Sequence, residues 1–156
     1  MGDLVLELLT RLRLNTDFQL ITVWNNQLEY IENGQNYSLP LPGAFVELVT
    51  DNFGQLGEGY QGVDLKINIH IIQEFYNSDN IDEDLTIYNL RDSIVRSLSL
   101  WKASKTGYFT KIDEYQDYDH NNVYHYKITF MTHWIDDTAV IAASYSLPPT
   151  NWTPQI

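Results

Sequence analysis

Four histidines, His70, His120, His125 and His133, stand in a chain rich in carboxylates, with Asp117 and Asp119 close to His120. Imidazole and carboxylate together are the donor set of many metal centres. The spacing argues against such a centre. His125 and His133 share a strand face but lie ~27 Å apart at the usual strand rise, and His120 reads as part of a turn. The expectation is a set of surface or half-buried histidines, with no metal. The pair Asp113 and Glu114 invites an acid–base reading, yet neighbours on a strand point to opposite sides, and with 21 Asp and Glu residues such pairs arise by chance. They read as part of a solvated acidic surface. Gly54, Gly57 and Gly59 precede a strand, whereas a phosphate-cradling loop leads into a helix N-terminus. With no cysteine there is no thiolate ligand, disulfide or Cys nucleophile. No catalytic motif is present, and the chain is expected to be neither an enzyme nor a cofactor binder.

The element that anchors the rest is Gly62-Val63-Asp64-Leu65-Lys66-Ile67-Asn68-Ile69-His70-Ile71-Ile72-Gln73, where apolar and polar residues alternate through Ile71. Such alternation predicts a strand with one face in a core. Before it, Leu4, Val5, Leu8, Leu9 and Leu12 recur at helical spacing, so Asp3–Leu14 is predicted as an amphipathic helix with Asp3 satisfying open N–H groups. Phe18–Trp24 is β-branched and aromatic, and Asn25-Asn26 is turn chemistry leading to a short hairpin partner at Leu28–Ile31. After a loop at 32–36 and the interruptions of Pro40 and Pro42, Ala44–Thr50 is predicted as a second main strand. The stretch from Asp51 to Gln61, with Gly54, Gly57 and Gly59, has the composition of a mobile loop joining neighbouring strands. Downstream, Asp82, Glu83 and Asp84 place negative charge at a helix start. Ile87, Leu90, Ile94, Val95, Leu98 and Trp101 then carry the helical period over Asp84–Lys102, with Lys105 and Gly107 as the stop. Tyr108–Asp117 and Val123–Trp134 are predicted as strands of a second hairpin, their aromatic residues pairing across it.

These elements predict one α+β domain over residues 1–134: an antiparallel or mixed sheet with two helices on one face. Its core contains Leu8, Val46, Ile67, Ile69, Ile94, Leu98 and Ile128. Residues 135–156 read as an extended C-terminal arm, in which Leu147, Trp152 and Ile156 have no core to join.

Composition narrows the class of function. The 156 residues suit one domain, and 44% apolar and 13% aromatic content is enough for a core. Nine Lys and Arg against 21 Asp and Glu give a net charge of −12, which argues against nucleic-acid binding driven by phosphate charge. The aromatic residues Tyr108, Phe109, Tyr115, Tyr118, Tyr124 and Tyr126 lack the basic groove of a single-strand platform, having only Lys111 and Lys127 among acids. No apolar run approaches the ~20 residues of a membrane span, and Met1–Leu14 carries charges unlike those of a signal peptide. Synthesis in the cytoplasm is expected.

The order helix, strand, strand, glycine-rich segment, strand, long helix, two strands, tail carries a local texture: Val23-Trp24-Asn25-Asn26-Gln27, Pro42-Gly43-Ala44-Phe45-Val46-Glu47-Leu48, and Gln61 through Ile71. Over residues 1 to about 134 it resembles the tail-terminator, or tail-completion, proteins of long-tailed bacteriophages and prophages. The resemblance implies a structural virion protein, made in the host cytoplasm. It would form a ring, a hexamer in that family, that ends tail-tube growth and joins the head connector. The implied partners are further copies of the chain, the tail-tube protein and a neck protein, with DNA passing through the bore without specific binding. Head-completion and connector-stopper proteins of the neck are alternatives of the same class. An acidic mimic that inhibits a nucleic-acid-binding protein, or a small enzyme, are alternatives of other classes. The subunit contacts are expected from the pliable segment, at Asp51, Phe53, Gln55, Leu56, Glu58 and Tyr60, and from the arm, at Leu147, Trp152 and Ile156. An arm that orders only on contact allows the free subunit to stay monomeric.

Overall fold

In the computed structural model, residues 1–32, 39–57, 59–74, 85–117, 120, 123–138 and 140 are described. The elements in chain order are α1 (Gly2–Asn15), β1 (Leu20–Val23), α2 (Gln27–Glu32), β2 (Gly43–Gly57), β3 (Tyr60–Glu74), α3 (Thr86–Leu98), β4 (Thr110–Asp117) and β5 (Val123–Asp136). The five strands form one mixed sheet in the order β1-β2-β3-β5-β4. Only the β1–β2 pair is parallel; the other three pairs are antiparallel. The fold class is α+β. No helix among the described residues is long and apolar enough to cross a membrane.

Alternation along β3 divides the sheet into two unlike faces. Val63, Leu65, Ile67, Ile69 and Ile71 share one core with Leu4, Leu8 and Leu12 of α1 and with Ile87, Ile94 and Leu98 of α3. Ile69 stands opposite Val46 and Ile128, so the same face continues through β2 and β5. All seven core residues expected from the sequence are buried there. The opposite face carries Asp64, Lys66, Asn68 and His70. A smaller apolar cluster of Leu28, Phe45, Ile72 and Val123 closes one end of that face under α2.

Several local expectations are corrected. Leu28–Ile31 is the helix α2, not a hairpin partner, and the crossover through it makes β1 parallel to β2. Leu28 and Ile31 are three apart, a spacing that shares a helix face but splits across a strand. Side chains fix the helix start: Gln27 Oε1 accepts from Asn25 N at 2.7 Å, and Asn26 Nδ2 donates to Glu29 Oε2 at 2.6 Å. Asp3 lies within the first turn of α1, whose N-cap is Met1, so it offers charge to the helix start and no capping hydrogen bond. The helix expected over Asp84–Lys102, α3, ends at Leu98 rather than Lys102. Ser99 is extended, Leu100 turns at φ 59, and Trp101 leaves the helix to stack on Phe109 at 5.2 Å. Phe109 N donates to Trp101 O at 2.8 Å, which delays the start of β4 to Thr110. Among the described residues, Tyr126 of β5 meets Tyr88 of α3 edge-on.

The glycine-rich segment is the largest departure. Instead of a loop, it continues both strands, with Asp51 opposite Asp64, Phe53 opposite Val63, Gly54 opposite Gly62 and Gly57 opposite Tyr60. Strand pairing uses the backbone, and glycine weakens a ladder without forbidding it. The positive φ of Gly57 (105°) and Gly59 (88°) supplies the turn, and Asn52 at φ 33 sits at a register shift between Asp51 and Phe53. The predicted helix start at Asp82, Glu83 and Asp84 lies outside the described residues.

Candidate functional site

On the polar face, strand register places Glu47 opposite Asn68, Asn68 opposite Thr129, Ile72 opposite His125, and Asp117 opposite His125. His70 and His125 are diagonal neighbours, because His70 faces Lys127 two residues along β5. Diagonal pairs on adjacent strands lie within reach of long side chains. The result is a buried polar row. His70 Nδ1 and His125 Nε2 are 2.9 Å apart, His70 Nε2 is 3.3 Å from Glu47 Oε2, and His125 Nδ1 is 3.4 Å from Asp117 Oδ2. His70 and His125 are each only 5% exposed. Glu47 Oε2 also accepts from Asn68 Nδ2 at 2.6 Å, and Asn68 Oδ1 accepts from Thr129 Oγ1 at 2.9 Å.

Trp24, the residue after β1, lies flat on His70 with ring centroids 4.0 Å apart, and its plane is within 2° of His125. Its backbone N–H is held by Val46 O at 2.9 Å. His120, between β4 and β5, brings Nε2 to 3.3 Å from Asp117 Oδ2 and meets the His125 ring at a steep angle. Asp117, His120 and His125 each offer a ligand atom, and these atoms lie within 4.8 Å of one another. The expectation of surface or half-buried histidines is thus corrected for His70 and His125, which are buried, and the strand-spacing argument missed that these two and His120 converge. Distances along a single strand omit the neighbouring strands, and the convergence runs across them. His133 does stay apart, paired with Asp64 farther along the same face. Asp119 lies outside the described residues.

Burial pushes the His70 imidazole down to about 4, against the opposing hydrogen bond of Glu47. Burial also lowers His125, with Asp117 opposing. Both rings are therefore neutral near pH 7, each with one N–H and one lone pair. Burial pushes Glu47 upward, but hydrogen bonds from Asn68 and His70 outweigh it and the carboxyl ends below its ordinary value. A neutral imidazole row ending in carboxylates can accept a cation or relay a proton.

The expected contact residues lie elsewhere. Asp51 sits on β2 and pairs with Lys66 at 2.9 Å. Phe53, Gln55 and Leu56 are exposed along the outer part of β2, and Tyr60 is exposed at the start of β3, so the hairpin displays apolar side chains to solvent. Leu56 lies over Gly62, where a Cβ would meet it at 3.6 Å. Glu58, Leu147, Trp152 and Ile156 lie outside the described residues. Beyond Val46, no described residue pairs with the free edge of β2, because β1 ends at Val23 and the last bond to it is that of Trp24 N.

No family model matches the chain, and no curated protein matches it.

Proposed function

We propose that the chain is a structural subunit of the tail or neck of a long-tailed bacteriophage. Copies join head to tail in a ring that ends the tail tube and offers a surface to the head connector. The observation that carries this reading is the β2–β3 hairpin. From Glu47 to Gly57, β2 has an unpaired outer edge among the described residues, and its tip exposes Phe53 (61%) and Leu56 (63%).

Edge strands of monomeric proteins are usually blunted by Lys, Pro, bulges or short length. β2 has 15 residues and contains neither Lys nor Pro, and its bulge at Asn52 interrupts the edge only locally. The far edge of the sheet is a different surface, the short and charged β4, which carries Lys111, Asp113 and Glu114. Two unlike edges favour a heterologous contact, and a heterologous contact whose rotation closes makes a ring. The sequence resemblance supports the phage setting, and the α+β architecture agrees with that resemblance. The net charge of −12 suits a bore through which DNA must slide without sticking.

The test is electron microscopy of particles made from the parent genome with this gene deleted, then complemented in trans. Tails of irregular length, unattached to heads, are expected without the gene. Rescue is expected from wild type but not from a folded Phe53→Asp, Leu56→Asp double variant. Normal, attached and infectious tails in the absence of the gene would overturn the proposal.

A further inference from the structure

We propose that Asp117, His120 and His125 bind a divalent transition-metal ion of the zinc class, with His70 and Glu47 as positioning residues behind them. This does not rest on the ring reading.

Distances provide the first argument. Ligand atoms bound at ~2.0–2.1 Å in a tetrahedral site stand ~3.3 Å from one another. Asp117 Oδ2 is 3.3 Å from His120 Nε2 and 3.4 Å from His125 Nδ1. The ligand atoms of all three residues lie within 4.8 Å of one another, close enough to share one ion.

Support behind the ligands provides the second. His125 presents Nδ1 to Asp117, while its other nitrogen, Nε2, is 2.9 Å from His70 Nδ1, and His70 Nε2 is 3.3 Å from Glu47 Oε2. A ligating histidine usually has its second nitrogen bonded to a group that is itself held. Trp24, stacked on His70, and Asn68, bonded to Glu47, fix that support.

Two imidazoles with one carboxylate favour Zn²⁺, Co²⁺ or Ni²⁺ over Mg²⁺ or Ca²⁺, which take oxygen donors. The experiment uses the full chain, stripped with a chelator and dialysed, then titrated with Zn²⁺ by calorimetry and with Co²⁺ by visible absorption. One ion per chain is expected, with an intense tetrahedral Co²⁺ spectrum that excess Mg²⁺ leaves unchanged. His120→Ala and Asp117→Asn, each checked for folding by its urea midpoint, should abolish binding. His70→Gln should keep the Co²⁺ spectrum and weaken affinity ~10–100-fold, the range for groups that orient ligands. His133→Ala should bind as wild type does. Absence of binding by wild type, or equal affinity in His120→Ala and His133→Ala, would overturn the site. Displacement of Co²⁺ by Mg²⁺ would overturn the metal class, and unchanged affinity in His70→Gln would overturn the positioning role.

Discussion

The two faces of one sheet differ in how they are held. On the helix side, Ile67, Ile69 and Ile71 of β3 meet Leu8, Ile94 and Ile128, and the contacts are apolar and non-directional. On the other side, the intervening residues Asn68 and His70 are almost as deeply buried but are bound through named hydrogen bonds to Glu47, Thr129 and His125. The first face tolerates any side chain of the right volume, whereas the second depends on donors and acceptors matching one by one. Stability therefore belongs mainly to one face, and chemical individuality to the other.

The largest expected effect comes from placing a charge in the dry face. Ile94→Asp should yield no soluble folded protein, because an unpaired buried charge costs several kcal/mol against a total of ~5–15 kcal/mol. Urea unfolding of any soluble fraction measures it, and a midpoint equal to wild type would show the two faces to be alike in tolerance. Next, Ile69→Ala should lose about 2–5 kcal/mol by cavity formation, and its neighbour Asn68→Ala about 1–3 kcal/mol by leaving Glu47 and Thr129 without that partner. Asn68→Ala alone should also weaken metal binding, so the pair separates packing from positioning.

A smaller effect is expected at the rim of the dry face, where Arg91 of α3 clamps Glu114 of β4 through contacts of 2.6 and 2.9 Å. The Arg91 hydrogen bonds, aided by Lys111, hold the Glu114 carboxyl below its ordinary value of 4.5. The folded state thus binds this proton less readily than the unfolded chain does. The clamp's contribution is present above the unfolded value and is lost as pH falls through the lowered one. Glu114→Gln should cost about 1–2 kcal/mol at pH 7 and less at pH 3, which urea melts at the two pH values would measure. The smallest effect belongs to Lys66→Ala on the exposed part of the polar face, where loss of the Asp51 pair should leave the urea midpoint unchanged.

The dry face was legible in the sequence because its information is local. The period-two run through Ile71 and the 3.6-residue period through Leu98 each identify a buried side without knowledge of the partner. The histidine row was not legible in that way. His70 and His125 meet as diagonal neighbours on strands whose register depends on the whole sheet, and separation along one strand says nothing about such contacts. A local signal did exist for Asp117 and His125, which flank the β4–β5 connection. Choosing that hairpin register would have placed them opposite one another. The glycines of the β2–β3 hairpin misled for a related reason. Composition suggested a loop, but the residues at positive φ, Asn52, Gly57 and Gly59, mark only a bulge and a turn, and the ladder resumes between them.

The free edge of β2 has a kinetic consequence for its amides. In an antiparallel pair, successive N–H groups point alternately toward the partner and away from it. Between Glu47 and Gly57, those directed at β3 are held in the ladder while their neighbours have no strand partner among the described residues, so hydrogen–deuterium exchange should alternate between slow and fast along the strand, with the phase shifting at Asn52. Only another strand laid against that edge would slow the fast set, which makes the alternation itself a record of whether the subunit stands alone.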